Sequence, residues 1–161
     1  MKMHTYKKGF TLIEVVVGSA VCLVVLVGLL SAFTVTLKLS LANTSKVQAS
    51  FLEEEGLEAV RILRDNGWNT NIASQSSGVP FYLTFSGGTW QVTTTNIYID
   101  GIFERKITLT NVYRGANQDI VSSGGVLDAK TRKATVSVAW SSGGATTTKS
   151  ISTYFTNIFN N

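Results

Sequence analysis

The chain has 161 residues, a length that suits one modest globular domain together with one membrane segment. It carries 14 basic and 10 acidic residues, but three of the lysines lie in the first nine residues, so the remainder is nearly neutral and nucleic acid is not expected as the main partner. One cysteine excludes an intrachain disulfide, and the one histidine, His4, lies in the basic N-terminal stretch.

The N-terminus has a fixed order of charges and apolar residues. Lys7 and Lys8 precede Gly9, the segment 10–13 is mostly apolar, and Glu14 is followed by an uncharged, proline-free run over residues 15–37. At 1.5 Å per residue, a helix over that run is roughly 34 Å long, enough to cross the hydrocarbon core of a bilayer. An ionised acid at membrane depth costs on the order of 2.5–3.5 kcal/mol, so Glu14 is a candidate functional residue.

The string Gly9-Phe10-Thr11-Leu12-Ile13-Glu14 resembles the class III signal of type IV prepilins and of the pseudopilins of type II secretion. The resemblance implies a leader over residues 1–9 with Lys7 and Lys8 as its basic residues, cleavage after Gly9 by a prepilin peptidase, and N-methylation of Phe10. It also implies assembly into a helical filament, with Glu14 neutralising the N-terminal ammonium of a neighbouring subunit. The implied partners are other pilin subunits, the peptidase, an inner-membrane assembly platform and lipid.

Elementary electrostatics supports that role for Glu14 and leaves one alternative. A buried carboxylate is costly unless it is paired, and the cation that cleavage would create nearby is the amino group of Phe10. Alternatively, Glu14 snorkels to the membrane interface from near the helix end. The apolar run could also be a secretory signal with a cleavage site near residues 40–42, although such runs usually have only about 7–15 apolar residues. Cys22 fits a lipidation motif poorly and is expected to be a buried thiol.

The helix is predicted to run from Phe10 to about Asn66, with residues 10–42 as the transmembrane and assembly segment and residues 43–67 as an amphipathic extension. Gly67 suits a left-handed helix cap. Glu53, Glu54 and Glu55 form an acidic collar that meets either basic groups of a neighbouring subunit or solvent. The face expected to lie on a globular domain recurs at helical spacing: Leu52, Gly56, Ala59, Val60 and Leu63.

Residues 68–161 predict an antiparallel β head. The patterns favour a loop over residues 68–88 with Trp68 anchored in the core, a bulge near Thr94–Asn96, a hairpin turn at Asp100-Gly101 and a surface loop over residues 114–130. The fold class is therefore α+β, a long N-terminal helix packed on a small four-stranded antiparallel sheet in a pilin-like layout. The four strands of that sheet are predicted at 90–99, 102–113, 134–140 and 145–155, and a further short candidate strand at 81–85 precedes them.

The head offers little chemistry for catalysis. Loss of residues 1–9 would leave no histidine, so we expect no enzyme, no catalytic residues, no cofactor and no metal. Oxygen ligands for calcium could come from Asn117, Asp119 and Asp128, but their spacing matches no calcium loop, and solvated acids are the alternative. The basic residues that could form a DNA-binding patch, as in competence-type pilins, are Arg105, Lys106, Arg114, Lys130, Arg132 and Lys133.

These observations predict a structural subunit, minor in rank, of a type IV pilus or a type II secretion-like pseudopilus. It would reside in the inner membrane as a single-pass protein before assembly, and then in a surface pilus or a periplasmic pseudopilus. The alternatives are a membrane-anchored or secreted β module that binds a sugar or a protein, and a DNA-uptake pilin. The first residue of the mature protein distinguishes the pilin from the β module. It would be Phe10 for a pilin, Asn43 for a secreted module and Met1 for a module on a plain membrane anchor.

Overall fold

The computed structural model describes residues 9–159, apart from the side chain of Ser142. The predicted leader lysines, Lys7 and Lys8, lie outside the described residues. Contacts divide the chain into two compact units, Met1–Asn43 and Thr44–Asn161. Helix α1 is Leu12–Asn66, so it begins two residues after the predicted start and ends where the sequence predicts. A displacement of two residues is the usual uncertainty of a helix end.

The helical residues of the first unit make no core of their own. Side chains over residues 9–41 are exposed throughout. The segment is helical because its residues are apolar and unbroken by proline, and because each amide bonds within the helix. Its stability as a helix therefore does not depend on tertiary packing within the unit.

The second unit includes residues 44–66 of α1, and one face of that segment is buried. The predicted face is confirmed, except that Leu52 is only half-buried. Two further positions, Ala49 and Glu53, extend the same face toward the N-terminal end. Gly56 allows close approach of the helix to the sheet, since an added Cβ would lie 2.8 Å from Cγ1 of Val136.

The helix ends in two steps. Gly67 has a positive φ of 154°, which glycine favours, but the angle is far from the left-handed helical value of about 57°, so the predicted left-handed cap is wrong in detail. Asn71 instead reaches back, and its Nδ2 donates to the carbonyl of Leu63 at 3.0 Å. A π-helical turn, Asn69–Ala73, follows within the segment predicted as loop. Trp68 is 2 % exposed, so its predicted anchoring in the core is confirmed.

Within the described residues the sheet has six strands and is antiparallel throughout. The strands are β1 (Pro80–Ser86), β2 (Thr89–Thr93), β3 (Glu104–Arg114), β4 (Ile120–Val121), β5 (Val126–Ser142) and β6 (Ala145–Thr156). Their order in the sheet is β2-β1-β3-β5-β6, and β4 pairs with the C-terminal end of β3. The α+β pilin-like class is confirmed, whereas the predicted number of four strands is wrong.

One sheet face packs on the helix of the second unit. Alternation on β3 buries Ile107 and Leu109, and alternation on β5 buries Val136 and Val138. The opposite face of these strands is polar. Two buried clusters result, a large one around Trp68 and Ile107 and a small one around Phe103 and Trp140.

Three predicted features of the head are wrong. The strand over residues 90–99 is short and stops at Thr93, because β2 pairs with β1 across the Gly87-Gly88 turn rather than with the following strand. The bulge near Thr94–Asn96 does not form, and the register slips instead between Asn111 and Val112. The loop over residues 114–130 contains β4 and the start of β5, because β3 is long enough to pair with both.

The predicted Asp100-Gly101 turn is confirmed. Asp100 and Gly101 have φ of 52° and 67°, as a type I′ turn requires. The amide of Ile102 donates to the carbonyl of Ile99 at 3.0 Å, which closes the turn. The residues on either side form a single bridge, Ile99 to Phe103, rather than a hairpin of two long strands.

Candidate functional site

The predicted cleavage bond lies before the helix. Gly9 and Phe10 are both exposed, and α1 begins only at Leu12. A Cβ added at Gly9 would meet nothing within 4 Å, so this glycine is not required by crowding in the described structure. The bond between the two residues is therefore irregular backbone that is open to another molecule.

Glu14 has a local partner that the sequence reading missed. The backbone amide of Thr11 donates to Glu14 Oε2 at 3.5 Å, and the carbonyl of Thr11 accepts from the amides of Glu14 and Val15 at 3.1 and 3.2 Å. Thr11 thus occupies the N-cap position and Glu14 the third helical position, the spacing of a capping box. The signal was present in the sequence as Thr-x-x-Glu. At 3.5 Å the bond is at the long limit, so it holds the carboxylate weakly.

The residues after Glu14 present an apolar surface on all sides. Val17, Val24 and Leu30 are 55, 74 and 64 % exposed. The helix that contains them is long and apolar enough to span a membrane, and the apolar window has no residue buried inside the structure. Surface of this kind is stable only when lipid or another apolar helix covers it.

Hydroxyl groups in the apolar run are satisfied by their own helix. Ser19 donates to the carbonyl of Val16 at 2.9 Å, and Ser31 donates to the carbonyl of Val27 at 3.0 Å. Thr36 makes the same kind of bond to Ala32. These side chains therefore leave no unsatisfied donor for the hydrocarbon region.

Gly18, Gly28 and Cys22 mark no contact within the described chain. Cβ atoms added at the two glycines would meet nothing within 4 Å, and Cys22 is free and exposed rather than buried. The prediction of a buried thiol is wrong for the single chain, because no element covers this part of the helix.

The acidic collar is divided between two environments, and the predicted solvation is wrong for Glu53, whereas contact with a neighbouring subunit stays a prediction. Glu53 is 3 % exposed and lies 3.6 Å from Lys149 Nζ, which also donates to Ser50. Glu55 accepts from Arg105 at 2.6 Å. One turn further along, Glu58 pairs with Arg61 at 3.1 Å on the exposed face.

The carboxylate of Glu104, on the polar face of the sheet, has three donors around it. Tyr82 and Asn96 donate to its Oε1 at 3.0 and 2.9 Å, and Lys106 lies 3.0 Å from its Oε2. Burial raises the pKa of Tyr82, and the bond to Glu104 raises it further. The same carboxylate raises the pKa of Lys106. The cluster ties β1, β3 and the loop after β2 together.

The predicted oxygen ligands for calcium are not brought together as a free site. The Asp128 carboxylate accepts from Arg114 Nε at 2.7 Å and from the backbone amide of Lys130 at 2.9 Å. The bond to Arg114 lowers the pKa of Asp128. Both oxygens of this acid are thus engaged by protein donors, which favours a structural role.

The six predicted basic residues do not share one surface. Arg105 is buried on the helix side, where it donates to the carbonyl of Leu52 and lies 5.3 Å from the centre of the Trp90 ring. Arg132 also lies on that side, within 3.4 Å of the carbonyl of Ala73. Lys133 is on the opposite face. Because side chains alternate between the two faces of a strand, adjacent basic residues such as Arg132 and Lys133 lie on opposite faces. The six basic residues therefore do not form one basic patch.

Comparison with known proteins identifies the N-terminal segment. The family model described as the prokaryotic N-terminal methylation motif matches residues 4–30. Searches of curated proteins and of solved structures gave no significant match. The chain therefore carries the class III signal peptide of type IV pilins and pseudopilins.

The motif supports a type IV pilin-like or pseudopilin subunit, and the apolar helix that follows it fits membrane anchoring before assembly. Proteins with this motif are in general structural subunits rather than enzymes.

Proposed function

We propose that this chain is a minor subunit of a type IV pilus or a type II secretion-like pseudopilus. A prepilin peptidase removes residues 1–9, Phe10 is N-methylated, and the mature subunit waits in the inner membrane until an assembly platform adds it to the filament. The matched methylation motif, followed directly by a helix whose apolar surface is uncovered, carries the proposal. Minor rank rests on the modest head and on a single cysteine, which allows no intrachain staple.

Glu14 acts during assembly through its charge. Within residues 9–159 its carboxylate makes one long bond, to the amide of Thr11. Cleavage places a new ammonium group on Phe10, four residues before Glu14 in the same chain, and on the Phe10 of each neighbouring copy. Pairing this ammonium with the carboxylate of another copy removes two charges from an apolar environment at once and fixes the axial register.

Two substitutions separate this role from helix capping. Glu14→Gln keeps an acceptor that a capping box tolerates but removes the charge, whereas Glu14→Val removes both. We expect both variants to lose the leader normally and to enter filaments at least about tenfold less than wild type, as a lost ion pair of about 1.4 kcal/mol or more predicts. Incorporation is measured by quantitative mass spectrometry of purified filaments.

Glu54→Val is the matched control, because Glu54 is an exposed acid of the same helix in the second unit. It should enter filaments as wild type does. Wild-type incorporation of Glu14→Gln would contradict the charge role and leave capping as the function of this residue. Recovery of filaments from the sheared surface fraction would indicate a pilus, and recovery from the periplasm a pseudopilus.

A further inference from the structure

The register slip in the sheet opens a groove on the head. Residues buried on the helix side of β3 have odd numbers up to Leu109, but after the slip between Asn111 and Val112 the buried residue is Val112 and Tyr113 is 38 % exposed. A bulge of this kind re-aims a side chain. Tyr113 thereby lies beside Lys133 and Tyr154 around a groove of about 490 Å³.

Two aromatic rings and an aliphatic side chain line this groove. Tyr154 is 48 % exposed and Ile120 is 43 % exposed. Neither tyrosine hydroxyl has a partner among residues 9–159, so each ring presents an apolar face together with a polar group that is free to bond. Half-exposed tyrosines of this kind favour ligands that combine apolar faces with hydroxyl groups.

Lys133 contributes a positive charge to the groove, and no described carboxylate pairs with it. Arg105, Lys106 and Arg114 each have a carboxylate partner within 3.0 Å. Lys133 has none among the described residues, and no acid lines the groove. Its strand partners are Thr110 and Tyr154, which provide hydroxyl groups rather than charge.

A polar side chain at the rim completes the set. Ser122 is exposed there. Along the sheet from Lys133, the next row carries the hydroxyl pair of Thr135 and Ser152, whose oxygens are 2.9 Å apart.

We propose that this groove binds a uronic-acid oligosaccharide. The apolar C–H face of a sugar ring stacks on Tyr113 or Tyr154, the carboxylate of the sugar pairs with Lys133, and a sugar hydroxyl bonds to Ser122. The free cation with no acid nearby selects an acidic sugar over a neutral one. The site is independent of the filament role, since it uses no residue of the first unit.

The test measures binding of trigalacturonate to the full-length protein by calorimetry, in a polyoxyethylene detergent that contains no sugar. We expect saturable binding with a Kd of roughly 1 mM or tighter. The methyl ester of the same trisaccharide keeps the rings and removes the charge, so it should bind at least about tenfold more weakly. Absence of saturable trigalacturonate binding, or equal binding of the ester, would overturn the proposal.

Variants locate the site. Lys133→Gln and Tyr154→Ser should each weaken trigalacturonate binding about tenfold, whereas Tyr154→Phe keeps the ring and should stay within about threefold of wild type. Tyr98→Ser is the matched control, because Tyr98 is 57 % exposed and lines a different groove. Should Tyr154→Ser fail to fold, Lys133→Gln decides together with the ester. An equal loss of binding in Tyr98→Ser would contradict this location.

Discussion

The two units contain the same apolar residue types in opposite environments. In the first unit Leu26 is 53 % and Leu30 is 64 % exposed, whereas in the second Ile107 and Leu109 are fully buried. A buried aliphatic side chain stabilises a fold by about 1.5–3 kcal/mol relative to an exposed one. The second unit has obtained that stabilisation within one chain, and the first can obtain it only from lipid or from other helices.

The difference also shows in the treatment of charge. The second unit gives nearly every buried or half-buried charge a partner, such as Glu55 for Arg105 and Asp128 for Arg114. The first unit has one acid, Glu14, whose side chain makes a single long bond to the described part of the chain. An incomplete environment for both apolar and charged groups is what a segment needs if its partners arrive later.

Trp68→Ala should have the largest effect and should act on the second unit alone. The ring is 2 % exposed, so its removal leaves a cavity and should lower the free energy of unfolding by about 3–5 kcal/mol. Trp90 and Trp140 remain as fluorescent reporters, and both belong to the second unit. Phe33→Ala, at a position 62 % exposed in the first unit, should leave the denaturation midpoint unchanged. A similar loss of unfolding free energy in Trp68→Ala and Phe33→Ala would contradict the difference between the two units.

Val24→Asp should impair membrane insertion of the first unit and leave the stability of the second unit unchanged. An acid at the middle of the apolar run should oppose membrane insertion by about 3 kcal/mol, without altering the fluorescence midpoint of the second unit. The measurement is the fraction of protein in the membrane pellet after carbonate washing. Thr148→Asp, at an exposed position of β6, is the control and should remain in the pellet. Full membrane retention of Val24→Asp would contradict the spanning role.

Gly56→Ala adds one methyl group to the buried helix face of the second unit. The added Cβ would lie 2.8 Å from Val136 Cγ1 and 3.2 Å from Arg105 Cδ, so we expect a loss of about 1–3 kcal/mol in unfolding free energy. The double variant Gly56→Ala with Val136→Ala should be less destabilised than the sum of the two single variants. Gly28→Ala, where nothing lies within 4 Å, should leave the second unit unaffected. Additive losses in the double variant would exclude the clash.

Asp128→Asn should have the smallest effect, up to about 1 kcal/mol at neutral pH. The pKa of Asp128 is lowered in the folded state, mainly by the bond to Arg114. The stabilisation is therefore complete above the ordinary Asp pKa of about 3.9 and is lost as the pH falls through the lower folded value. The midpoint difference from wild type should shrink below about pH 4. Asp119→Asn, on the neighbouring exposed loop, should shift the midpoint less at neutral pH, and a pH-independent difference for Asp128→Asn would contradict the ion pair.

Features that depend on local sequence were predicted well. The helix end at Asn66, the buried face around Val60 and the Asp100-Gly101 turn all follow from residues a few positions apart. The motif from Gly9 to Glu14 is likewise contiguous. Such features are readable because propensity, capping and periodicity act over one or two turns of chain.

The wrong predictions concern features that depend on contacts between segments far apart in the sequence. The end of β2 at Thr93, the formation of β4 and the slip at Asn111 depend on which strand lies alongside, and the sequence does not state that choice. The partners of Glu53 and Glu55 lie on β6 and β3, far along the chain. The groove around Tyr113 was missed for the same reason, because only the slip brings that ring to Lys133 and Tyr154.

The most direct test of the account is the intact mass of the protein purified from assembled filaments, with sequencing of its first residues. The account predicts a chain that begins at Phe10, carries one added methyl group on the amino nitrogen and lacks residues 1–9. A filament protein that retains Met1 through Gly9, or one that begins at Asn43, would contradict it.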